Sequence, residues 1–263
     1  MMKQSASTTS SENKKKSKKI SYYFQKVAAV LLVVGFASYI VFNAKPDPKY
    51  SLVLKNNSIL LRALWTTLWI SIVSLILSMF FGLFFYLGMK AKNTFLRTIT
   101  NTLKETIMGT PLLVLIFIVF YVFAPKLNFH SRLGLGIAAL TIYMVPYIAN
   151  TYETSISVID RDQFTVMELY HFNLFQKYVY VIIPQMIRPM IPAMLNNLST
   201  IIKGSALLNL IAVLEITYQI QVIANDTYAT VEAYIVMWIL YLIVTVPLSL
   251  IAGALGRRVS HES

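Results

Sequence analysis

Residues 63–89 read ALWTTLWISIVSLILSMFFGLFFYLGM, 27 consecutive residues without a charged side chain. A helix needs about 20 predominantly apolar residues to cross the hydrocarbon core of a bilayer. This stretch is apolar around its whole circumference rather than along one face, which predicts a membrane-spanning helix and not a surface helix. Because the rest of the chain must accommodate such a span, this segment decides the fold class.

The composition agrees with a chain that is largely embedded in lipid. Of the 263 residues, 57% are hydrophobic and only 13% are charged, whereas a soluble domain carries about 25% charged residues. We therefore predict an all-α, polytopic membrane protein with about six transmembrane helices. Besides residues 63–89, the candidate spans are Val27–Ala44, Thr106–Pro125, Leu133–Tyr152, Pro189–Leu214, which Lys203 interrupts, and Ala233–Gly256.

The net charge of +12 is explained by topology. The first 26 residues hold seven lysines, and we predict residues 1–26 to be a disordered, basic cytoplasmic tail. Sixteen of the 23 Lys and Arg residues then fall in segments on the cytoplasmic side, which is the bias that orients membrane proteins. We expect both termini to be cytoplasmic and the basic charge to meet the lipid bilayer, with no nucleic-acid partner.

The sequence offers no set of residues for covalent chemistry. It has no cysteine and only three histidines, so we expect no metal site. None of its nine glycines belongs to a phosphate-binding loop ending in Gly-Lys-Ser/Thr. We therefore predict no catalytic residue, no cofactor in this chain and no enzymatic activity of its own.

The long connection between Tyr152 and Pro189 lacks a predicted span. Within it, Gln163–Tyr180 carries large side chains at spacings of three and four residues, which predicts helices with one apolar face that lie across the membrane surface. Such a face favours contact with a soluble partner, although a helix that only rests on lipid has the same pattern. The face comprises Phe164, Met167, His171, Leu174, Phe175 and Tyr178.

Several motifs along the chain resemble one family of transport proteins. They are Leu64-x-Thr66-Thr67-Leu68, Gly109-Thr110-Pro111-Leu112-Leu113, Pro184-Gln185-x-x-Arg188, then Pro192, Asn196, Lys203, Ser205, Leu207, Glu215, Gln219 and Gln221, and finally Pro247-Leu248-Ser249-Leu250. Together they resemble the permease subunits of ATP-binding-cassette (ABC) importers for amino acids. The resemblance implies a type I ABC importer permease core over residues 60–258, an extra N-terminal helix at 27–44 and a cytoplasmic coupling loop at 153–188.

The resemblance also implies a function and a set of partners. A permease of this family forms the translocation path in the bacterial cytoplasmic membrane and is driven by a separate ATP-binding subunit. An extracytoplasmic solute-binding protein delivers the amino-acid substrate, and a second permease copy or a paralogue completes the path. Two alternatives are a secondary transporter or channel without ATP coupling, and an assembly or sensor subunit of the same fold that does not transport.

The coupling loop departs from the family motif, in which a Glu-Ala-Ala triplet and a later glycine form the helix that docks on the ATPase. Thr165-Val166-Met167 replaces the triplet, 19 residues before Pro184, and His171 replaces the glycine. Glycine there would allow a tight turn, so His171 must adopt the bend otherwise, or the helices meet differently. The resemblance assigns ATPase coupling to Asp162, Gln163, Phe164, Thr165, Val166, Met167, His171, Asn173, Gln176, Pro184 and Gln185.

Further departures affect charges near the inner end of the path. The family usually has Arg where this chain has Met108, and Glu and Arg where it has Asn150 and Glu153. Candidate path residues are Gly109, Thr110, Pro111, Lys203, Ser205 and Glu215.

Lys203 and Glu215 each allow two interpretations. Lys203 attracts a substrate carboxylate or serves as a structural cation. Glu215 lies near the external mouth of the path or in an ordinary solvated loop. We expect tyrosines at span ends, including Tyr152 and Tyr241, to be interface anchors.

Overall fold

The computed structural model describes residues 32, 35–36, 38–42 and 49–262. The chain divides into two compact units, Met1–Tyr50 and Ser51–Ser263. In the first unit, residues 38–42 are helical and the Tyr50 hydroxyl donates a hydrogen bond to the Val41 carbonyl at 2.6 Å. The predicted tail, residues 1–26, and most of the predicted span Val27–Ala44 lie outside the described residues.

The described residues from 49 onward form helices and no strand. In chain order these are α1 (Tyr50–Leu54), α2 (Asn57–Met89), α3 (Thr94–Gly109), α4 (Leu112–Lys126), α5 (Arg132–Ser157), α6 (Arg161–Leu169), α7 (Leu174–Ile211), α8 (Ile216–Thr227) and α9 (Thr230–Glu262). Two of them change type along their length. Helix α4 contains a π-helical stretch at Ile118–Phe123, and α7 contains one at Lys177–Ile182.

Among the residues that the structure describes, four helices are long and apolar enough to cross a membrane, namely α2, α5, α7 and Thr230–Arg257 of α9. A fifth span arises if α3 and α4 count as one, but these two are bent by 107°. The prediction of one continuous helix over Thr106–Pro125 is therefore wrong. Pro111 lacks a backbone N–H and disfavours helical geometry in the residue before it, and Thr110 is extended accordingly, with φ −91° and ψ 126°.

A stripe of small residues joins α2 to α5. It repeats on one face of α2 and comprises Thr67, Ser71, Ser74, Ser78 and Gly82, all buried. The Ser78 hydroxyl donates to the Thr141 carbonyl at 3.3 Å, so the polar groups of this stripe find partners within the helix bundle. Small side chains let two helix backbones approach closely in a membrane, and this contact fixes α5 against the first span.

The apolar core lies where α2, α4, α5 and α7 meet. Ile70, Ile116, Leu140, Ile201 and Leu208, each at most 1% exposed, pack there in a single cluster. Helix α7 also packs on α9, and α8 packs on α9. The core therefore joins α2, α4, α5 and α7, and α9 is attached through α7 and α8.

Helix α7 differs from its predicted extent, Pro189–Leu214. It begins at Leu174 and ends at Ile211, with Pro189 and Pro192 inside it. After Ser205 the α-helix tightens into a 3₁₀ helix over Ala206–Ile211, so the chain changes helix type here without breaking. The long cytoplasmic connection predicted between spans is thereby shortened to α6 and the first turns of α7.

The α2–α5 contact predicts a cost for Gly82→Ala. A Cβ at Gly82 would lie 2.8 Å from Cγ2 and 3.1 Å from Cβ of Ile148, whose side chain is fully buried. Overpacking of this kind costs about 1–3 kcal/mol. Heating detergent-extracted protein and measuring the folded fraction by size exclusion should show a lower midpoint for this variant.

The matched control is Gly253→Ala on α9, where a Cβ would contact only the tip of Arg257 at 3.8 Å. Both changes replace glycine by alanine within a helix, which by itself favours the helix by about 1 kcal/mol. Gly253→Ala should leave the midpoint unchanged or raise it. Equal midpoints for the two variants would contradict the close approach.

Candidate functional site

Helix α6 is a short helix that connects the spans α5 and α7. Helix α5 ends at Ser157, α6 covers Arg161–Leu169, and α7 begins at Leu174. Asp160 caps α6, because its Oδ1 accepts the Asp162 N–H at 3.0 Å, and the Asp162 carboxylate lies in the first turn, where the helix dipole favours negative charge. The predicted coupling residues from Asp162 to Met167 therefore share one well-capped helix.

His171 makes the bend that the family glycine would make. Its φ is +53°, in the left-handed region that glycine adopts most easily. The His171 N–H donates to the Glu168 carbonyl at 3.0 Å, and the Phe172 N–H donates to the Met167 carbonyl at 2.9 Å. These two bonds form a Schellman motif, the usual end of a helix with a left-handed residue. The loop thus keeps its turn without glycine.

The next turn is closed by Asn173 and Gln176. The Asn173 side chain accepts the Gln176 N–H at 2.8 Å, and the Gln176 side chain accepts the Asn173 N–H at 3.0 Å. This reciprocal capping box starts α7 immediately after the His171 bend. The chain therefore reverses between α6 and α7 in a geometry fixed by its own hydrogen bonds.

A pair of amides joins the beginning of α6 to α7. Gln185 Nε2 donates to Gln163 Oε1 at 2.7 Å, and Gln163 Nε2 donates to Gln185 Oε1 at 3.3 Å. Pro184 lies beside this pair in the first turn of the regular α-helical part of α7. The structure thus brings two predicted coupling residues that are 22 positions apart into direct contact.

The large side chains of the loop are divided between an inner and an outer surface. Met167, Ile159 and Ile182 are buried together, with Phe164 and Phe172 packed on them. The predicted single face, which placed Phe164 and Met167 beside Leu174 and Phe175, is therefore wrong. The outer apolar side chains are Val166, Leu169, Tyr170, Leu174 and Phe175, and we name them the coupling surface after the predicted coupling loop in which they lie.

A shallow groove of about 290 Å³ runs along this surface. It is lined by Asp162, Gln163, Val166, Met167, Tyr170, Phe172 and Val181. Leu169 and Tyr170 project beside it with 72% and 75% of their surface exposed. Such an apolar patch with a recess is typical of a protein interaction site.

The other group of predicted residues lies around the α3–α4 bend. Gly109 ends α3, and Thr110 and Pro111 form the bend. A Cβ at Gly204 would lie 2.8 Å from Leu112 Cδ2, so the stretch from Lys203 to Ser205 passes directly beside the bend. The Lys203 side chain is exposed and makes no ion pair with any residue in the described part of the chain.

Glu215 lies between α7 and α8, outside the membrane spans, and is fully buried. Its carboxylate accepts the N–H groups of Thr217 and Tyr218 at 2.9 and 2.8 Å and the Tyr241 hydroxyl at 3.1 Å. The expected solvated loop is therefore a buried helix cap. Burial raises the pKa of Glu215 to about 7, so its contribution to folding stability falls as the pH rises through that value.

Two tyrosines expected at the membrane interface have internal roles instead. Tyr241 bonds Glu215, and the Tyr152 hydroxyl donates to the Met79 carbonyl at 3.0 Å. The sequence did not predict these hydrogen bonds because each partner lies on another element, far away along the chain. The sequence contains one signal of such a contact. An acidic residue between apolar segments, such as Glu215, needs a hydrogen-bonding partner like the Tyr241 hydroxyl if it is buried.

Two of the positions that depart from the family pattern, Asn150 and Met108, contact each other, and the third, Glu153, binds a lysine. Asn150 Nδ2 lies 3.7 Å from Met108 Sδ, so two uncharged side chains meet where the family usually has charges. Glu153 binds Lys90, just beyond the end of α2, at 2.6 Å, and this hydrogen bond raises the pKa of Lys90. The contact between Asn150 and Met108 therefore carries no charge, whereas the contact between Glu153 and Lys90 is an ion pair.

No group of three His, Asp or Glu side chains close enough to hold a metal ion occurs among the residues that the structure describes. The candidate site therefore consists of an exposed apolar surface on α6 and the start of α7, and of the Gly109–Pro111 bend beside Lys203.

Comparison with known proteins identifies the family. A family model described as the inner membrane component of binding-protein-dependent transport systems matches residues 78–261. A probable glutamine ABC transporter permease protein, GlnM of Bacillus subtilis (strain 168), is 30% identical over 159 residues, covering 60% of this chain and 73% of the relative. The nopaline transport system permease protein NocM of Agrobacterium fabrum is 27% identical over 165 residues, covering 59% and 68%.

Solved structures agree with these relatives. An amino acid ABC transporter crystallised with histidines aligns with a TM-score of 0.73 and 25% identity, covering 81% of this chain and 99% of the other. The MetNI methionine ABC transporter, in inward-facing conformations, aligns with a TM-score of 0.62 and 18% identity, covering 76% and 96%, and supports the fold.

The left-handed His171 predicts that His171→Gly stabilises the bend. The left-handed conformation costs a residue with a Cβ about 1 kcal/mol. The backbone amides of residues 171 and 172, which form the Schellman motif, should therefore exchange with deuterium about fivefold more slowly in the variant. Hydrogen exchange read by mass spectrometry on the peptide that contains the bend measures this. His171→Val, which is β-branched, should exchange faster than wild type, and the reverse order would disprove the assignment.

The Lys90–Glu153 pair predicts a charge-swap result. Lys90→Glu places two carboxylates together and should lower the thermal midpoint, whereas adding Glu153→Lys should restore it. The side chains are 51% and 37% exposed, so the attraction itself is worth no more than about 1 kcal/mol. Lys92→Glu, at an exposed neighbour, is the control. A double variant no more stable than Lys90→Glu would refute the pairing.

Proposed function

Since this chain belongs to the family of binding-protein-dependent transport system inner membrane components and is a multi-pass permease subunit of the amino-acid ABC importer type, we propose how its parts divide the work of transport. The coupling surface docks on a separate ATP-binding subunit. The bend beside Lys203 lines the translocation path. An extracytoplasmic solute-binding protein delivers the substrate at the opposite side of the membrane.

The proposed substrate is a polar amino acid of the glutamine type. The support is the printed function of relatives, among them the GlnM protein. Lys203 suits such a substrate because its ammonium group attracts an α-carboxylate. A charged side chain inside an apolar span is costly and usually faces a water-filled path or the protein interior.

The proposed orientation has both termini in the cytoplasm, with α6 on the same side. The excess of Lys and Arg in the segments between spans supports it. A second copy of this chain, or a paralogue, faces the path side of α7 and covers Lys203, which is exposed on the single chain. This chain catalyses no covalent step, and ATP hydrolysis takes place in the separate subunit.

The observation that carries the proposal is the rigid attachment of the coupling surface to two spans. The Schellman motif, the capping box and the Gln163–Gln185 pair fix α6 to α7, and only a few residues separate α6 from α5. When the ATP-binding subunits close, α6 moves as one body with the inner ends of α5 and α7. Such rigid-body motion opens and closes the path.

The test is ATP hydrolysis in liposomes by this chain co-expressed with its genetic neighbours. Leu169→Ser with Tyr170→Ser removes two exposed apolar contacts from the coupling surface while leaving its buried underside intact. We expect hydrolysis stimulated by binding protein and glutamine to fall at least about tenfold, as for the loss of interface hot spots.

The matched control is Leu127→Ser, a leucine that is 74% exposed in the turn after α4, far along the chain from the loop. It should keep the stimulation. If the coupling variant and the control behave alike, the docking surface is misassigned. If an ATPase co-purifies but substrate never stimulates it, the chain is a non-transporting subunit of the same fold.

A further inference from the structure

Two polar stripes run inside the apolar spans, one on α7 and one on α5. Each has its side chains at spacings of four and then three residues, so its members share one face of the helix. The side chains of the α7 stripe are exposed and those of the α5 stripe are partly exposed. Polar groups that meet lipid are costly, so both stripes must face a water-filled path or another protein surface. The α7 stripe comprises Asn196, Thr200 and Lys203, and the α5 stripe comprises Tyr143, Tyr147 and Asn150.

The contacts between α5 and α7 set the two stripes at matching depths. A Cβ at Gly204 would lie 3.6 Å from Leu140 Cδ2, and Asn197 Nδ2 donates to Thr151 Oγ1 at 3.1 Å. The partner on α5 therefore moves forward along the chain as the residue on α7 moves back, which is an antiparallel register. Interpolated between these contacts, the matched levels to within one helical turn are Lys203 with Tyr143 and Thr200 with Tyr147.

The α3–α4 bend lies against both stripes. Just before the bend, Met108 Sδ lies 3.7 Å from Asn150 Nδ2 of the α5 stripe. Just after it, Leu112 lies beside Gly204, the residue that follows Lys203 of the α7 stripe. Leu207, which continues the α7 stripe, packs on the same core cluster as the two tyrosines of the α5 stripe. Both stripes therefore border one space beside the bend, which we name the polar cleft.

The hydroxyl groups of the stripes leave donors and acceptors open at different levels of the polar cleft. The Tyr147 hydroxyl donates to the Tyr143 hydroxyl at 3.3 Å, so Tyr143 keeps a proton to donate and the Tyr147 oxygen can accept. Thr200 Oγ1 donates to the Asn196 carbonyl at 3.1 Å, so its oxygen can accept as well. Lys203 makes no ion pair with any residue that the structure describes. Donors therefore lie at the level of Lys203, and acceptors lie about one turn nearer to α6.

We propose that the polar cleft holds the zwitterionic head group of the amino-acid substrate, and that Tyr147 and Thr200 select its α-ammonium group. The α-carboxylate lies at the Lys203 ammonium group and the Tyr143 hydroxyl. One helical turn rises about 5.4 Å, which places the α-ammonium group within reach of the Tyr147 and Thr200 oxygen atoms and of the electron-rich tyrosine rings. Neither stripe contains an acidic residue, so neutral oxygen atoms take the positive charge. The inference rests on the proposed function, because it assigns the substrate contacts of the same path.

The test is equilibrium binding of radiolabelled glutamine to the detergent-purified complex of this chain with its ATP-binding subunit, without the solute-binding protein. The competitor is glutaramate, which is glutamine without its α-amino group. Wild type should bind glutamine at least about tenfold more tightly than glutaramate, as expected for hydrogen bonds to a charged group. Tyr147→Phe with Thr200→Val should bind the two ligands equally. Its affinity for glutaramate should equal that of wild type, which shows that the cleft is still folded.

The matched control is Tyr228→Phe with Thr102→Val, which removes the same two hydroxyl groups at exposed positions after α8 and on α3. It should keep the preference for glutamine. The site is refuted if the control loses this preference, or if Tyr147→Phe with Thr200→Val retains it. If wild type binds no glutamine while glutamine still stimulates ATP hydrolysis in liposomes, the head-group site fails and the proposed function stands. If neither binding nor stimulation occurs, both fail.

Discussion

The structure depends on the close approach of α2 to α5. Lipid is as apolar as a leucine side chain, so the hydrophobic effect that assembles soluble cores does not hold membrane helices together. Here the approach comes from small residues, ending at Gly82 against Ile148. Helix α5 carries Asn150 and Glu153 and leads directly into α6. The position of α6 therefore depends on a contact built mainly from small and apolar side chains, to which the Lys90–Glu153 pair adds one charged contact just beyond the end of α2.

The coupling loop makes its turn without the glycine that the family motif has at this position. The family glycine is replaced by His171, yet the backbone adopts the left-handed bend and makes both hydrogen bonds of a Schellman motif. The residues on both sides hold the bend in place. Met167 is buried before it, and Asn173 caps the next helix after it. A motif is thus a poor measure of whether a loop keeps its shape, because hydrogen bonds between backbone atoms need no particular side chain.

The spans followed from the sequence because length and apolarity are local properties. The all-α fold and the spans at residues 63–89 and 233–256 required only that charged residues be absent. The bend at Thr110 was not predicted, because a run of apolar residues does not indicate a change in the direction of the helix axis. The buried cap at Glu215 was also missed. Its partner Tyr241 stands 26 residues later, and a contact between helices cannot be derived from either helix alone.

The bend between α3 and α4 leaves little helix to cross the bilayer. Fifteen residues from Leu112 to Lys126 span roughly 22 Å as a helix, against a hydrocarbon core of about 30 Å. A helix this short crosses alone only where the bilayer is thinner around it or where α3 lies deeper in the bilayer. Because Leu112 packs against Gly204 beside Lys203, membrane thickness bears mechanically on the stretch of α7 that passes the bend. The thickness of the surrounding lipid would in this way act on the stretch that we propose as part of the translocation path.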